Sequence, residues 1–239
     1  YHSVKLGIIS FNLRNFTLDL AARWENFNYG TMLIGDEFSG MVFGDEHLYS
    51  YNLWLHYNSE NDRYFTTHGA SLEAGYSMYT DDFVHYRSSS PVHVVNGRWR
   101  FAVRLTDRLT LQPAVYGRIL LGNEMPWCLS NFIGGDYAGH YVEQQLPFAG
   151  IGNIEVADNA FVATGIKLQQ RIMDNNYLIA RAAFALNSGK IRNLIDSPLL
   201  HGYQLSWAYN SMFGPVNANI GYSSKTRRVF FYLNLGYEF

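Results

Sequence analysis

Several features that mark disulfide-bonded, nucleic-acid-binding and helical membrane proteins are scarce in this sequence. Its 239 residues include a single cysteine, Cys128, so no internal disulfide can form and a buried or incidental thiol is the default interpretation. Only 16% of the residues are charged and the formal net charge is −2, so no basic field favours nucleic acid as a partner. No apolar run reaches the roughly 18 residues that a transmembrane helix needs, which excludes that element.

Motifs for catalysis and for cofactor binding are missing as well. The nearest approach to a G-x-S-x-G nucleophile elbow is GYSMY around Ser77, which lacks the second glycine and falls in a predicted strand. The eight histidines are scattered without metal-ligand spacing, and no phosphate loop or dinucleotide fingerprint occurs. We therefore predict a chain without catalytic residues, metal or cofactor.

Aromatic residues and a strict period of two are what the sequence has in abundance. It contains 18 Tyr and 16 Phe, and in residues 16–25 and 95–106 apolar and polar side chains alternate position by position. Such alternation predicts β-strands with one apolar face. The same pattern predicts eleven strands and no useful helix, near residues 3–13, 16–26, 47–57, 68–79, 93–106, 108–121, 161–172, 177–187, 201–210, 214–223 and 228–239.

Short and long connections alternate along the predicted chain until the last one, SKTR at 224–227. Outer-membrane barrels sort their connections in this way, with short periplasmic turns and long external loops, and strands of about 9–11 residues suit a tilted membrane crossing. Tyrosines and tryptophans at the ends of the apolar faces, such as Tyr49 and Trp207, fit the headgroup level of a membrane. We predict an all-β, antiparallel transmembrane β-barrel in the outer membrane, with a soluble all-β protein as the alternative.

The predicted strand number is odd, although closed bacterial barrels of one chain have an even number with both termini inside. Either residues 29–35 form a twelfth strand, or residues 1–239 are one barrel domain that lacks its first strands. No signal peptide is visible, so we expect either a mature chain or a part of a longer one. Because an open edge in lipid leaves backbone groups unpaired, we favour the C-terminal part of a larger barrel.

Two stretches resemble a known family. The end, FFYLNLGYEF, resembles the signal by which the barrel-assembly machinery recognises the last strand of outer-membrane barrels, with Leu235, Tyr237 and Phe239 on one face. Residues 131–148, NFIGGDYAGHYVEQQLPF, resemble the sixth external loop of the sixteen-stranded surface-antigen barrels, which include the barrel-assembly factor and two-partner secretion transporters. More narrowly, they are similar to the C-terminal barrel of Bacteroidetes-type patatin-like phospholipases.

The resemblance implies that a plug loop, about residues 123–160, folds into the lumen ahead of the last five strands. Its glycines would allow the tight turns, and its apolar residues would be costly in water. The family usually has an arginine where this chain has His140, so a bidentate arginine lock is in doubt. The plug-loop residues predicted to matter are Gly134, Gly135, Gly139, His140, Tyr141, Gln144, Gln145 and Pro147.

The resemblance also implies a function. In the family the barrel anchors or translocates, and the patatin part hydrolyses lipids with a Ser–Asp dyad in G-x-S-x-G and D-G-G/A motifs, neither of which this chain has. We therefore expect a non-catalytic barrel of a Gram-negative bacterium, whose partners are membrane lipids, the barrel-assembly machinery and a passenger domain. A small-molecule channel or porin is the first alternative. A membrane-embedded hydrolase is the second alternative. It would need a Ser–His pair at the outer, lipid-facing side, but the strand period predicts that Ser50 and His56 point inward.

Charged residues on the polar faces are expected to line the lumen. They would form either an anion-attracting conduit or a wall of ion pairs that packs the interior, and we favour the second because a plugged lumen needs such pairing. For the tip of the plug loop at His140, the expected wall partners are Glu73, Lys167 and Gln169. The predicted charged wall comprises Arg23, Glu73, Arg98, Arg100, Arg104, Arg118, Lys167 and Arg181.

Overall fold

Eleven long strands build one antiparallel sheet in which chain neighbours are also sheet neighbours. The computed structural model describes residues 2–28, 44–136, 143–154 and 156–236. The strands of the sheet are β1 His2–Leu13, β2 Phe16–Phe27, β3 Glu46–Asn58, β4 Gly69–Thr80, β5 Val92–Arg104, β6 Leu109–Leu121, β10 Ala160–Met173, β11 Asn176–Ser188, β12 Leu200–Ser211, β13 Gly214–Ser223 and β14 Val229–Leu235. They lie side by side in that order.

Three short strands lie between β6 and β10, inside the plug loop. They are β7 Asn131–Ile133, β8 Gln145–Leu146 and β9 Val156–Asp158, and they form a separate sheet in the order β8-β7-β9. A 3-10 turn, Trp127–Leu129, precedes them, and another, Ile191–Asn193, follows β11. Among the described residues no helix has the length and apolar character to cross a membrane.

The two faces of the large sheet differ as the alternation predicts. In β12, Leu205 and Trp207 are 46% and 45% exposed, whereas Gln204 and Ser206 between them are 5% and 2% exposed. Bulky apolar side chains thus stand on the outer face and small or polar ones on the inner face, the arrangement of a barrel wall in lipid. The predicted strands and their faces are confirmed.

The sheet has two open edges in the part of the chain that the structure describes. β1 pairs only with β2, and β14 pairs only with β13. Closure of the sheet is not seen among these residues, which agrees with a partial barrel. Residues 29–35, the candidate twelfth strand, lie outside the described residues.

Most of the short connections lie at one end of the sheet and most of the long ones at the other. We call the end with the turns at Arg14–Asn15, Asp174–Asn175 and Met212–Phe213 the short end, and the end that carries the plug loop the long end. The apolar clusters of the molecule lie largely at the long end, between the plug loop and the inner face of the wall. The hydrophobic core is therefore a loop packed into a barrel rather than a layer between two sheets.

Candidate functional site

Two glycines turn the backbone of the plug loop back on itself, as the motif implies. Gly134 and Gly135 have φ of 138° and 81°, a region that favours glycine. A Cβ on Gly134 would lie 1.9 Å from the carbonyl oxygen of Asn153, so no other residue fits. The Gln145 side-chain amide donates to the Gly134 carbonyl oxygen at 2.7 Å and holds the turn against β8.

The neighbouring motif residues bond to the loop or to the wall through their backbones. The Gln144 carbonyl accepts a hydrogen bond from the Phe132 amide at 3.2 Å, which ties β7 to the returning segment. The Pro147 carbonyl accepts one from the Tyr116 hydroxyl of β6 at 2.6 Å. The second contact places the chain around Pro147 against the inner wall.

Apolar side chains of the plug loop pack against the inner face of the barrel. Ile133 is fully buried and Phe148 is 1% exposed, and the Phe148 ring meets Phe161 of β10 edge-on, with centroids 6.5 Å apart. Burying a large side chain of this kind stabilises a fold by about 1.5–3 kcal/mol. The cluster at this contact comprises Ile133, Leu146, Phe148, Ile151 and Val156 of the loop with Phe161, Ala163, Ala183, Ala185 and Leu200 of the wall.

Arg118 of β6 anchors the start of the plug loop. Its guanidinium donates to the Leu129 carbonyl at 2.5 Å and to the Asn131 side-chain oxygen at 2.7 Å. The Asn131 side-chain amide in turn donates to the Arg118 carbonyl at 2.8 Å. Asn131 is fully buried and Arg118 is 9% exposed. Buried polar groups need such reciprocal partners, so this pair fixes where β7 meets the wall.

Asp136, directly after the glycine turn, anchors the inward end of the loop to three strands. Its carboxylate receives hydrogen bonds from Arg181 of β11 at 3.2 Å, Gln204 of β12 at 2.8 Å and Asn219 of β13 at 2.9 Å. The Asp136 side chain is only 10% exposed. The loop therefore supplies the acid and the wall supplies the arginine.

The backbone of the plug loop also approaches the backbone of the wall strands closely. Gly150 has φ of 84°, and a Cβ there would lie 2.0 Å from the Tyr222 carbonyl oxygen of β13. A Cβ on Gly202 of β12 would lie 1.9 Å from the Ala149 carbonyl oxygen. Contact this tight requires glycine on both partners, so loop and wall are shaped to each other over residues 149–150.

A carboxylate near the long end is also affected by this packing. Asp158 of β9 accepts a hydrogen bond from the Asn187 side chain of β11. Burial raises the pKa of the Asp158 carboxyl, and the Asn187 hydrogen bond partly opposes that rise.

The rest of the predicted charged wall divides between two loops. Arg23 forms an ion pair with Glu143 of the plug loop at 3.0 Å. Arg100, Arg104 and Lys167 instead contact residues 59–68, a short-end connection for which the sequence predicted no role. The charged side chains of the wall thus form their ion pairs and hydrogen bonds largely with residues of the loops.

Arg98 and Glu73 have other surroundings. The Arg98 guanidinium lies 6.0 Å from the centroid of the Tyr116 ring, within cation–π range. Glu73 faces Arg98 across the β4–β5 ladder, and both line a groove beside residues 58–64.

The expected wall partners of the plug-loop tip stay a prediction, because His140 lies outside the described residues. Lys167 and Gln169 donate to the carbonyls of Tyr64 and Thr66 in the short-end connection, at 3.3 and 3.5 Å. That ten-residue connection reaches the middle of the wall, which strand periodicity could not reveal. Leu235 is 73% exposed at the end of β14. Gly139, His140, Tyr141, Tyr237 and Phe239 lie outside the described residues.

Three loop acids that meet wall arginines, Glu60, Asp136 and Glu143, were not among the residues predicted from the sequence. Asp136 directly follows the glycine pair. A charged residue beside a tight turn in an apolar loop was the sequence feature that could have indicated its contact with the wall. In the described ranges no three His, Cys, Asp or Glu side chains cluster as metal ligands. What the site can do is hold a loop inside a barrel by packing, ion pairs and backbone fit.

A one-layer antiparallel sheet with an apolar outer face and a loop folded inside it defines an outer-membrane β-barrel. The chain belongs to the OMP85 superfamily, whose family model matches residues 8–239.

The fold is also that of a solved family structure. The chain is similar to BamA from Haemophilus ducreyi lacking POTRA domains 1–3, with 12% identity and a TM-score of 0.64 over 92% of this chain and 50% of that one. It therefore spans half the length of the BamA chain that it matches. A KdgM porin aligns over 97% of this chain and 92% of its own at 10% identity, with a TM-score of only 0.37. No curated protein sequence matches the chain.

Proposed function

We propose that this chain is the membrane barrel of a larger outer-membrane protein, in which it anchors or exports a patatin-like lipid hydrolase and is itself non-catalytic. The observation that carries the proposal is the plug loop. Asp136 and Arg118 tie the loop to the inner wall through at least four side-chain hydrogen bonds. A lumen occupied in this way suits an anchor or a controlled path better than an open pore.

The narrower assignment to a patatin-like passenger depends on the stretch at 131–148. Gly134, Gly135, Gln145 and Pro147 have structural roles in the turn that fit their recurrence in that motif. Because the hydrolase motifs are missing from residues 1–239, the proposed hydrolase would be a separate domain of the same protein. The barrel-assembly machinery and outer-membrane lipids are its other proposed partners.

The open edges of the sheet support a second part of the proposal, that five further strands complete a sixteen-stranded barrel. Unpaired backbone groups in lipid cost several kcal/mol each, so β1 and β14 need neighbours. The BamA chain that shares the fold is longer, since 92% of this chain covers only 50% of it.

The coding sequence upstream of Tyr1 is the first test. A patatin-like module there, with G-x-S-x-G and D-G-G/A motifs, is the expected result. A signal peptide directly before Tyr1 would defeat the proposal. The full-length protein, purified in detergent, is then assayed for release of fatty acid from phospholipid vesicles. Activity must vanish when the serine of the upstream elbow is changed to alanine and must persist with Ser77→Ala in the barrel.

A small-molecule channel remains the second candidate, because arginines and Lys167 line the inner wall. The measurement that separates it is conductance of the full-length protein in planar bilayers. Steady, anion-selective conductance without any change to the plug loop would favour the channel.

A further inference from the structure

The connection between β3 and β4, residues 59–68, is much longer than the two-residue turns at the short end. It is folded rather than extended, because its neck is closed like a hairpin. The Ser59 amide donates to the Ala70 carbonyl at 2.9 Å, and the Asn61 amide donates to the His68 carbonyl at 3.2 Å. Gly69 has φ of 106°, and a Cβ there would lie 2.2 Å from the Ser59 carbonyl oxygen. We call this segment the short-end loop.

The head of the short-end loop supports itself. The Asp62 carboxylate accepts hydrogen bonds from the amides of Tyr64 and Phe65 at 2.8 and 2.7 Å. The Asn61 side-chain oxygen accepts two more, from Thr67 and His68 at 2.9 and 3.0 Å. A loop with its own capping network holds one conformation and presents fixed groups to its surroundings.

Those groups meet the inner wall. The Arg100 guanidinium of β5 donates two hydrogen bonds to the Glu60 carboxylate, at 2.7 and 2.5 Å. The Glu60 side chain is only 3% exposed. The Arg104 guanidinium donates to the Thr67 hydroxyl at 3.0 Å. A fork of this kind fixes position as well as charge, so the loop is latched to β5.

Beyond the latch the loop crosses the inner face of the sheet. The Thr66 carbonyl accepts hydrogen bonds from Gln112 of β6 at 2.7 Å and from Gln169 of β10 at 3.5 Å. The Phe65 ring stacks on Tyr177 of β11 at 4.2 Å and joins a cluster with Ala208 of β12. A connection between β3 and β4 thus reaches the strand five sheet positions beyond β4.

The loop also reaches deep. Lys167, which donates to the Tyr64 carbonyl at 3.3 Å, lies six positions before the end of β10 at Met173. At about 3.3 Å per residue this is about 20 Å along the strand from the short end. The short-end loop and the plug loop, which enter from opposite ends, face each other across a cavity of about 210 Å³, whose lining includes Tyr64 and Thr66 on one side and Asp136 and Pro147 on the other.

We propose that the short-end loop is a second closure of the barrel, latched by Glu60 and Arg100. In the barrel completed by the further strands of the proposed function, the lumen is then closed at both ends and the cavity between the loops is separated from solvent. This inference does not depend on the identity of any passenger. It implies that passage of any molecule through the barrel requires both the short-end loop and the plug loop to move away from the wall.

The test is chemical labelling of a cysteine placed in the cavity. Ala114 of β6 lines the cavity and is changed to cysteine in the full-length protein, in a Cys128→Ala background, and the detergent-solubilised protein is treated with a charged maleimide. Slow labelling is expected in this protein. Deletion of residues 60–67 should accelerate it about tenfold or more, since local opening then needs no latch. Asp107→Cys, in a short-end turn, should be labelled quickly in both.

A point substitution separates the latch from the bulk of the loop. Glu60→Gln keeps the shape and removes the charge held by Arg100, and labelling at position 114 should rise about tenfold because a charge-assisted fork is lost. Glu124→Gln removes a surface ion pair with Arg87 at the long end and should change nothing. Fast labelling at position 114 in the unaltered loop, or equally slow labelling after the deletion, would overturn the proposal.

Discussion

Asp136 shows how one side chain can hold a loop of nearly forty residues in place. Its two oxygens collect donors from β11, β12 and β13, so moving the loop breaks hydrogen bonds to three strands at once. A carboxylate this buried needs all of them, because an unpaired charge away from water is strongly destabilising. The anchor therefore works as a unit with the wall behind it.

Replacing Asp136 with alanine should accordingly destabilise the barrel by about 3 kcal/mol, since Arg181 is left without its buried partner. Asp136→Asn keeps two polar atoms and should cost less. The measurement is urea-induced unfolding in detergent micelles, followed by tryptophan fluorescence. Asp107→Ala, in an exposed turn, serves as the control and should be neutral. An Asp136→Ala midpoint equal to that control would show that the anchor contributes nothing.

Gly134 allows a sharper test at a single backbone position. Its φ of 138° and the 1.9 Å approach of a Cβ to Asn153 mean that alanine is strained and clashes with backbone. Gly134→Ala should lower the free energy of unfolding by about 2 kcal/mol or more. Gly97→Ala in β5 is the matched control, because its nearest atom would lie at 3.8 Å and its φ is ordinary. Equal losses in the two variants would contradict the assigned role of the turn.

At the scale of elements, strands and loops were unequally predictable. Periodicity placed β2 at 16–26 and β11 at 177–187, within one residue of the observed ends, because one face in lipid and one in the lumen impose strict alternation. The short-end loop carries no period. Its contact between Glu60 and Arg100 joins residues forty positions apart, so it follows from the closed neck and the curvature of the wall.

The long-end loop at 81–91 gives a prediction for pH. The His85 amide, and after it the Val84 amide, donate to the Asp82 carboxylate and lower its pKa below the usual value. A depressed pKa stabilises the loop above the unfolded-state pKa of about 3.9, and this contribution is lost as pH falls through the folded pKa. Hydrogen exchange at Val84 and His85, corrected for intrinsic rates, should therefore accelerate as pH falls below about 4. With Asp82→Asn the corrected exchange should not change with pH. The same acid-induced acceleration in that variant would assign it to another group.

The molecule as a whole is a single curved layer whose interior is filled by its own loops. A sheet with one face in lipid cannot build a core against a second sheet, so the apolar residues of the plug loop supply that core from within. Among the described residues, β1 and β14 are the two edges of this sheet. Whether those edges meet each other or meet other strands decides what this chain is within the membrane.

We expect that they do not meet. If five further strands complete the barrel, β14 and β1 are separated by six interstrand spacings of about 4.8 Å, or about 29 Å along the wall. A disulfide requires Cα atoms within about 7 Å. Cysteines placed at Ser10 and Asn234, in a Cys128→Ala background of the full-length protein, should therefore not cross-link on oxidation. Cysteines at Asn12 and Thr17, which are register partners of β1 and β2, should cross-link readily. Cross-linking through the first pair, tested also at neighbouring registers, would mean that eleven strands close the barrel on their own.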